Sequence, residues 1–295
     1  MSSREPEFGS SKLETFWYWI TERHDIYIRR FGEQQPKPWT KDPILQQYKF
    51  TNAFRQLDRG TIALTDMISQ FPAASEEMKL FNIWWYRLFN REEHSRKLGF
   101  ITSLQPLVDY ITDLYNTKQL IFTSAHMTAS KAGEPKYLTY IRACEDAFKY
   151  KDSICRTWRA TRSMEETYNK LLMCYLIGPF VGYEIVCDMR FLVKPKPEQI
   201  NAWANVGPGS RRGLIRLGML RPDEKRSKVQ AVGNYAMIQL LHKAWKELPE
   251  RIIMNGPSSF ELREIEHSLC EFDKYERVRT GEGTPRSKFH GTLEV

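Results

Sequence analysis

Two stretches, Gly178-Pro-Phe-Val-Gly-Tyr-Glu-Ile-Val-Cys-Asp188 and Val206-Gly-Pro-Gly-Ser-Arg-Arg-Gly213, decide how this chain is to be read. The first is an apolar segment with two acids four residues apart, Glu184 and Asp188, which a helix places on one face. The second predicts a glycine-rich hairpin that opens a basic helix. Gly207 and Gly209 permit tight turn conformations, leaving the amides of Gly209, Ser210 and Arg211 at a helix start. Such amides favour anions, and Arg211 and Arg212 add two full charges. The polyanion that fits is a nucleic-acid backbone; the other reading is an ordinary Gly-Pro-Gly loop followed by a solvated basic turn.

Working outward, the positive charge is concentrated around this hairpin. Residues 201–230 carry seven Lys or Arg against two acids, in a chain whose formal net charge is +8. An anionic partner is favoured. At 295 residues, 41% of them hydrophobic, the chain is long enough to bury a substantial core. No apolar run reaches the length of a membrane span and no signal-peptide pattern opens the sequence, so a cytoplasmic protein without membrane contact is expected. Cys144, Cys155, Cys174, Cys187 and Cys270 form no Cys-x-x-Cys pair, and the six histidines are dispersed. Neither a metal nor a zinc-deaminase site is expected, and no cofactor. The sequence also contains no Gly-x-x-x-x-Gly-Lys-Ser/Thr phosphate loop, which argues against a P-loop kinase within these residues.

The periodicity predicts an all-α protein. Ser11-Lys-Leu-Glu14 is a capping-box pattern, and Leu13, Phe16, Trp17, Ile20, His24, Tyr27 and Ile28 follow at helical spacing, predicting a helix over 11–31. Pro43 at a first-turn position predicts a second, through Thr61. Further helices are expected over 75–89, 104–116, 135–149, 163–177, 180–192, 210–218, 225–246 and 258–277, and 119–124 is ambiguous with a short strand. Residues 1–10 are expected to be disordered, 11–276 to form the helical domain in two lobes with the hairpin motif at about 197–218, and 277–295 to form a basic tail. In that tail Arg286 and Lys288 are available to a phosphate backbone, or simply to solvent.

Several polar groups stand where chemistry is possible. On the predicted helix over 43–61, Asn52, Arg55 and Arg59 share a face with Asp58 at its edge; a salt-bridge network would explain the pattern equally. Glu22 and Arg23 on the first helix admit the same two readings. Glu184 and Asp188 need an explanation, because a lone carboxylate in an apolar helix is costly to bury. They either pair with Arg190, Arg55 or Arg59, or floor a polar pocket. Tyr18 and Tyr183 are core aromatics or stacking platforms, Trp17 and Trp19 core. His126 is a weaker candidate, and Glu271, Asp273 and Lys274 pair to buttress the fold or join the site.

The hairpin segment resembles the helix-hairpin-helix of DNA base-excision glycosylases. More closely, it is similar to the glycosylase-related families that hypermodify thymine in phage DNA. These are the amino acid:DNA transferases, also called alpha-glutamyl/putrescinyl thymine pyrophosphorylases, and the helical domain of 5-hydroxymethyluracil DNA kinases. Three further blocks carry the resemblance: Phe16-Trp-Tyr-Trp-Ile-Thr-Glu-Arg23 with Arg29-Arg30, Lys37-Pro-Trp-Thr-Lys-Asp-Pro-Ile-Leu-Gln-Gln-Tyr-Lys-Phe-Thr-Asn-Ala-Phe-Arg-Gln-Leu-Asp-Arg59, and Glu264-Ile-Glu-His-Ser-Leu-Cys-Glu-Phe-Asp-Lys-Tyr275. Together they cover most of residues 13–290.

The resemblance implies a DNA glycosylase-like helical fold acting in a host-cell cytoplasm on double-stranded DNA that contains modified thymine. It further implies a flipped 5-phosphomethyl-uracil, or its pyrophosphorylated form, whose phosphate is displaced by the amine of an amino acid, glycine being the simplest. Asp188, Glu184, Asp58, Arg55 and Arg59 would then be catalytic. Asn52, Glu22, Arg23, Tyr183, Arg91 and His126 would line the substrate site. Gly207, Gly209, Ser210, Arg211, Arg212, Arg216, Arg286 and Lys288 would hold DNA. A monomer is expected. The alternatives are a 5-hydroxymethyluracil kinase component, a DNA glycosylase or a non-catalytic DNA-binding scaffold.

Overall fold

The computed structural model describes residues 12–122, 133–253, 259–285 and 288–289. Among these the secondary structure is helical, apart from one isolated antiparallel bridge between Tyr48 and Lys288. No described helix is long and apolar enough to cross a membrane. The predicted disorder of 1–10, and His126 and Arg286, lie outside the described residues.

The chain divides into two compact units, one made of 1–58 with 204–295 and the other of 59–203. In the first unit, α13 (Leu262–Arg279) is the element on which α1 (Lys12–Tyr27), α2 (Pro43–Gln47), α10 (Pro208–Arg216) and α11 (Arg226–Glu247) pack. Its start is fixed by a capping box, with the Glu261 side chain on the first turn and Glu264 reaching back to the Glu261 amide. α10 approaches α13 closely because both contact positions are glycine. A Cβ on Gly209 would fall inside Cys270, and one on Gly213 inside the Leu269 carbonyl.

The second unit is built around α4 (Glu76–Phe89), in which every residue from Lys79 to Phe89 is buried. A helix covered on all sides is a core element rather than an amphipathic one. α3 (Arg59–Ser69), α7 (Lys136–Thr161) and α9 (Pro179–Leu192) surround it, α5 (Glu92–Leu98) packs on α3, and α6 (Gln105–Asn116) and α8 (Met164–Leu171) flank α7. Ser75 caps α4 by accepting from the Met78 amide at 3.3 Å, and Asn90 ends it in the left-handed region.

Several boundaries differ from the sequence reading, among them that of α7, expected to end at 149 and continuing to Thr161. The helix expected over 43–61 is three pieces: α2, an extended segment leading to a 3-10 turn at Arg55–Leu57, and α3. Helix formation stops at Tyr48 because Tyr48 and Phe50 are buried while Lys49 is exposed, a period-2 pattern that a helix cannot satisfy. Asn52, Arg55 and Arg59 therefore share no helical face. The helices expected over 180–192 and 210–218 are present as α9 and α10, and the residues between them, 193–207, contain no helix. The prolines at 195 and 197 exclude a helix there. The helix expected over 163–177 stops at Leu171, and the Tyr175 amide is taken by Asp146 of α7 at 2.8 Å. Finally, 119–122 contains no strand.

Candidate functional site

In the first unit a polar recess forms where α1, the extended segment after Tyr48 and α13 meet. The extended segment turns back on itself because Asp58 Oδ1 accepts both from the Asn52 backbone amide, at 2.9 Å, and from Asn52 Nδ2, at 3.1 Å. Asn52 Nδ2 also donates to Leu57 O at 2.7 Å. That leaves Asn52 Oδ1 buried with no hydrogen-bond partner. From α13 come His267, Glu271 and Lys274, spaced four and three residues apart and hence on one face. Glu271 Oε2 accepts from the Thr51 amide at 3.0 Å and from Lys274 Nζ at 2.6 Å. His267 Nε2 lies 2.7 Å from Thr51 Oγ1 and 3.9 Å from Asp58 Oδ2.

Arg23 completes this group from α1. Its NH2 donates to Phe50 O at 3.4 Å, a long bond for a guanidinium. Burial pushes the Arg23 guanidinium down to about 10, with Asp58 and Glu271 opposing the shift and Arg30 adding to it. The guanidinium thus stands beside two carboxylates in a poorly solvating environment. Glu22, the neighbour with which Arg23 was paired in the sequence reading, is instead bound by Arg29 at 2.8 Å. Tyr18 donates to Asp42 at 3.2 Å, and Asp42 caps α2 while also accepting from Tyr275 at 2.8 Å. The Tyr18 hydroxyl is therefore tied to the start of α2. Arg55 is buried.

The glycine hairpin is also in the first unit, and it is held rigidly. Gln230 and Asn234 of α11 take the amides of Val206 and Ala204, each at 2.9 Å, and Gln230 returns a bond to Ala204 O. The Arg211 amide is not free at the helix start, because it donates to Gly207 O at 2.9 Å. Ser210 is buried with its hydroxyl on Gly207 O at 3.2 Å. Arg211 donates to Pro222 O at 2.7 Å. Arg212 and Arg216 both reach Asp273, each at 2.7 Å. Gly209 serves the α10–α13 contact, which the sequence reading did not foresee. Lys288 bridges Tyr48, and the Phe289 amide donates to Gln47 O at 2.9 Å, so this part of the tail lies against the first unit.

The other named residues belong to the second unit. Asp188 is 1% exposed and clamped by Arg87 on both oxygens, at 2.5 and 3.1 Å; Arg87 is further held by Thr61 and Asn90, each at 3.1 Å. Arg87 is thus a partner of Asp188 that the sequence reading did not name. Tyr183 is buried against Trp203, with ring centroids 5.7 Å apart, and Trp203 packs on Tyr168. Glu184, half-buried, lies on the same helix as Asp188. Arg59 pairs with Glu92 at 2.8 Å and Arg91 with Glu93 at 3.3 Å.

Chemically, the recess of the first unit offers proton acceptors (Asp58, Glu271, His267) beside cations (Arg23, Lys274). Thr51 and His267 were not singled out as site residues from the sequence. The signal available was the His-x-x-x-Glu-x-x-Lys spacing at 267, 271 and 274, which reads as one face only once the helix is established. Among the described residues no cluster of three or more His, Cys, Asp or Glu side chains could hold a metal ion.

The chain is similar to the "5-hmdU DNA kinase" of Bacillus phage SP10, with 26% identity over an alignment covering 92% of this chain and 46% of that protein. It thus spans about half the length of this curated relative. No solved structure matches it. A family model described as "5-hmdU DNA kinase, helical domain" matches residues 10–284, and on that match, which takes in every element described above, the chain belongs to this family.

Proposed function

We propose that this protein is a thymine-modifying DNA enzyme, specifically an amino acid:DNA transferase that displaces phosphate from a flipped 5-phosphomethyl-uracil, with glycine as the amine. The observation that carries the reading is the recess in which Arg23, incompletely neutralised, stands with Asp58, His267 and Glu271. In the reaction the ammonium first loses a proton to His267 or Asp58, since a protonated amine has no lone pair. The nitrogen then forms a bond to the exocyclic methylene carbon, and the carbon–oxygen bond to phosphate breaks with its electron pair leaving on the phosphate. Arg23 and Lys274 stabilise the departing charge or hold the amino acid carboxylate. Asn52 Oδ1 is an unused acceptor suited to an imide N–H. Asp188 and Glu184 stay in this proposal as the frame of the second unit, with Asp188 orienting Arg87 rather than taking protons. Gly207, Ser210, Arg211 and Arg212 form the proposed DNA-facing hairpin.

A second reading has a specific observation behind it: the relative named a kinase is about twice as long, and these 295 residues contain no phosphate loop. The chain would then be the helical part that presents 5-hydroxymethyluracil to a kinase. Mass spectrometry of nucleosides separates the two. Duplex bearing phosphomethyl-uracil, incubated with protein and glycine, should yield an aminated nucleoside, and His267→Gln should lower its rate about 10²- to 10⁴-fold without changing the melting temperature. An abasic product would mean a glycosylase, and no product would favour the presenting role.

A further inference from the structure

The carboxylate of Asp273 is 1% exposed and lies beneath three arginines: Arg212 and Arg216 reach it at 2.7 Å through Nε, and Arg277 at 3.6 Å. An arginine bound through Nε has its terminal fork aimed away from the anchoring carboxylate. The fork of Arg216 is occupied. Its NH1 and NH2 donate to the two oxygens of Glu282, at 3.1 and 2.6 Å, which is the bidentate geometry that guanidinium gives to carboxylates and phosphates alike.

Glu282 is a surface occupant of that fork. It follows the end of α13, and its side chain is 52% exposed. Gly281 and Gly283, on either side, have φ of +75° and +150°, and the Glu282 and Gly283 amides donate to Arg277 O at 2.8 and 3.2 Å, so the turn backbone is fixed and release of the carboxylate needs only rotation of the Glu282 side chain. Beyond Arg216, the Glu282 side chain accepts only from the Thr280 hydroxyl, at 2.8 Å. Glu282 meets Arg216 from the solvent side, whereas the Asp273 anchor is buried and stays. With Glu282 in place, three cations face two carboxylates; with it swung out, they face one.

We infer that Arg216, positioned by Asp273 and flanked by Arg212 and Arg277, is a phosphodiester seat, and that Glu282 is an internal carboxylate that a DNA phosphate displaces. The inference rests on the DNA-binding part of the proposed function but on no step of its chemistry. The tail carrying Glu282 thus limits non-specific binding and yields to a duplex that reaches the fork.

The test is fluorescence anisotropy of an unmodified duplex titrated with the full chain over a salt series. Glu282→Gln should tighten binding about 3- to 10-fold at low salt and steepen the slope of log K against log salt by about one, the signature of one more phosphate neutralised. In an Arg216→Lys background, which keeps the charge but loses the fork, the same Glu282→Gln change should give less than half of that gain. An equal gain in both backgrounds would mean a general charge effect and overturn the seat, as would unchanged affinity in Glu282→Gln or no duplex binding by either protein. The titration on unmodified DNA is independent of the amination assay: tightening here, with no product from phosphomethyl-uracil duplex and glycine, would retain the seat and remove the transferase reading. Amination with unchanged Glu282→Gln affinity would do the reverse.

Discussion

Asp188 shows how far residue type and position constrain an interpretation and where they stop. Its immediate neighbours, Cys187 and Met189, are apolar and the position is buried, so the charge must be compensated, and compensation is what the structure contains: Arg87 engages both oxygens deep in the second unit. The choice between pocket floor and buried ion pair depended on the position of Arg87, 101 residues away. Removing one partner of such a pair leaves an uncompensated charge in a poorly solvating interior. Asp188→Asn is therefore expected to cost about 3–5 kcal/mol of stability, read as a lower urea midpoint at constant m-value. A variant that melts like the parent but is inactive would return Asp188 to the reaction centre. At Arg23 the relation is the opposite, since its neighbours Asp58 and Glu271 lie nearby yet do not fully offset its burial.

At the scale of elements, helix positions were legible from three-to-four periodicity, as α4, α6, α9 and α11 illustrate, whereas the segment 48–58 was misread. Its alternation of buried and exposed residues spans only Tyr48 to Phe50, too short to outweigh a proline start signal and a run of polar residues with good helix propensity. The contact between α10 and α13 was hidden for a different reason: a glycine in a turn motif and a glycine in a helix contact look alike in sequence. Gly213→Ala tests that contact. Alanine gains up to about 1 kcal/mol of helix propensity over glycine, but the added methyl would lie inside the Leu269 carbonyl, and overpacking of this kind costs about 1–3 kcal/mol. Net destabilisation is expected in thermal melts, and a rise in melting temperature would show that the two helices separate easily.

His94, on α5, offers a pH-dependent counterpart. Its Nε2 lies 2.9 Å from Ile121 O, a group that can only accept, so this nitrogen carries the proton and Nδ1 accepts from Tyr110 at 3.1 Å. Burial holds the imidazole below its ordinary value of 6.5, with Arg91 adding to the effect and the Ile121 bond opposing it. The unfolded chain thus binds a proton at a higher pH than the native one. The contribution is fully present above about pH 6.5 and is lost as pH falls through the native value. Melting temperatures measured from pH 7.5 down to 5 should decline, and the decline should be shallower in His94→Gln.

For the whole molecule, the division into units is discontinuous in sequence: both chain ends contribute to the first, and 59–203 make up the second. Composition marked only the second of those boundaries, with Pro195-Lys-Pro197 read as a connector shortly before Trp203–Ala204, whereas Asp58–Arg59 lies in no proline- or glycine-rich linker. The second unit has its own core in α4, with α7 and α9 against it. A fragment of residues 59–203 should accordingly give helical circular dichroism and a cooperative melt, whereas a broad, non-cooperative transition would show that this core needs the rest of the chain.

Local chemistry determined what the sequence could determine alone. Periodicity set the all-helical class, clustered arginines and a glycine-rich turn gave the expectation of an anionic partner, and block-by-block similarity pointed to the phage thymine-modification family. Only the tertiary structure decided which charges meet. Arg87 with Asp188, Arg216 with both Asp273 and Glu282, and Arg23 beside Asp58, His267 and Glu271 are pairings between distant segments. Their burial, and so the strength of each interaction, arises from packing that no local pattern encodes.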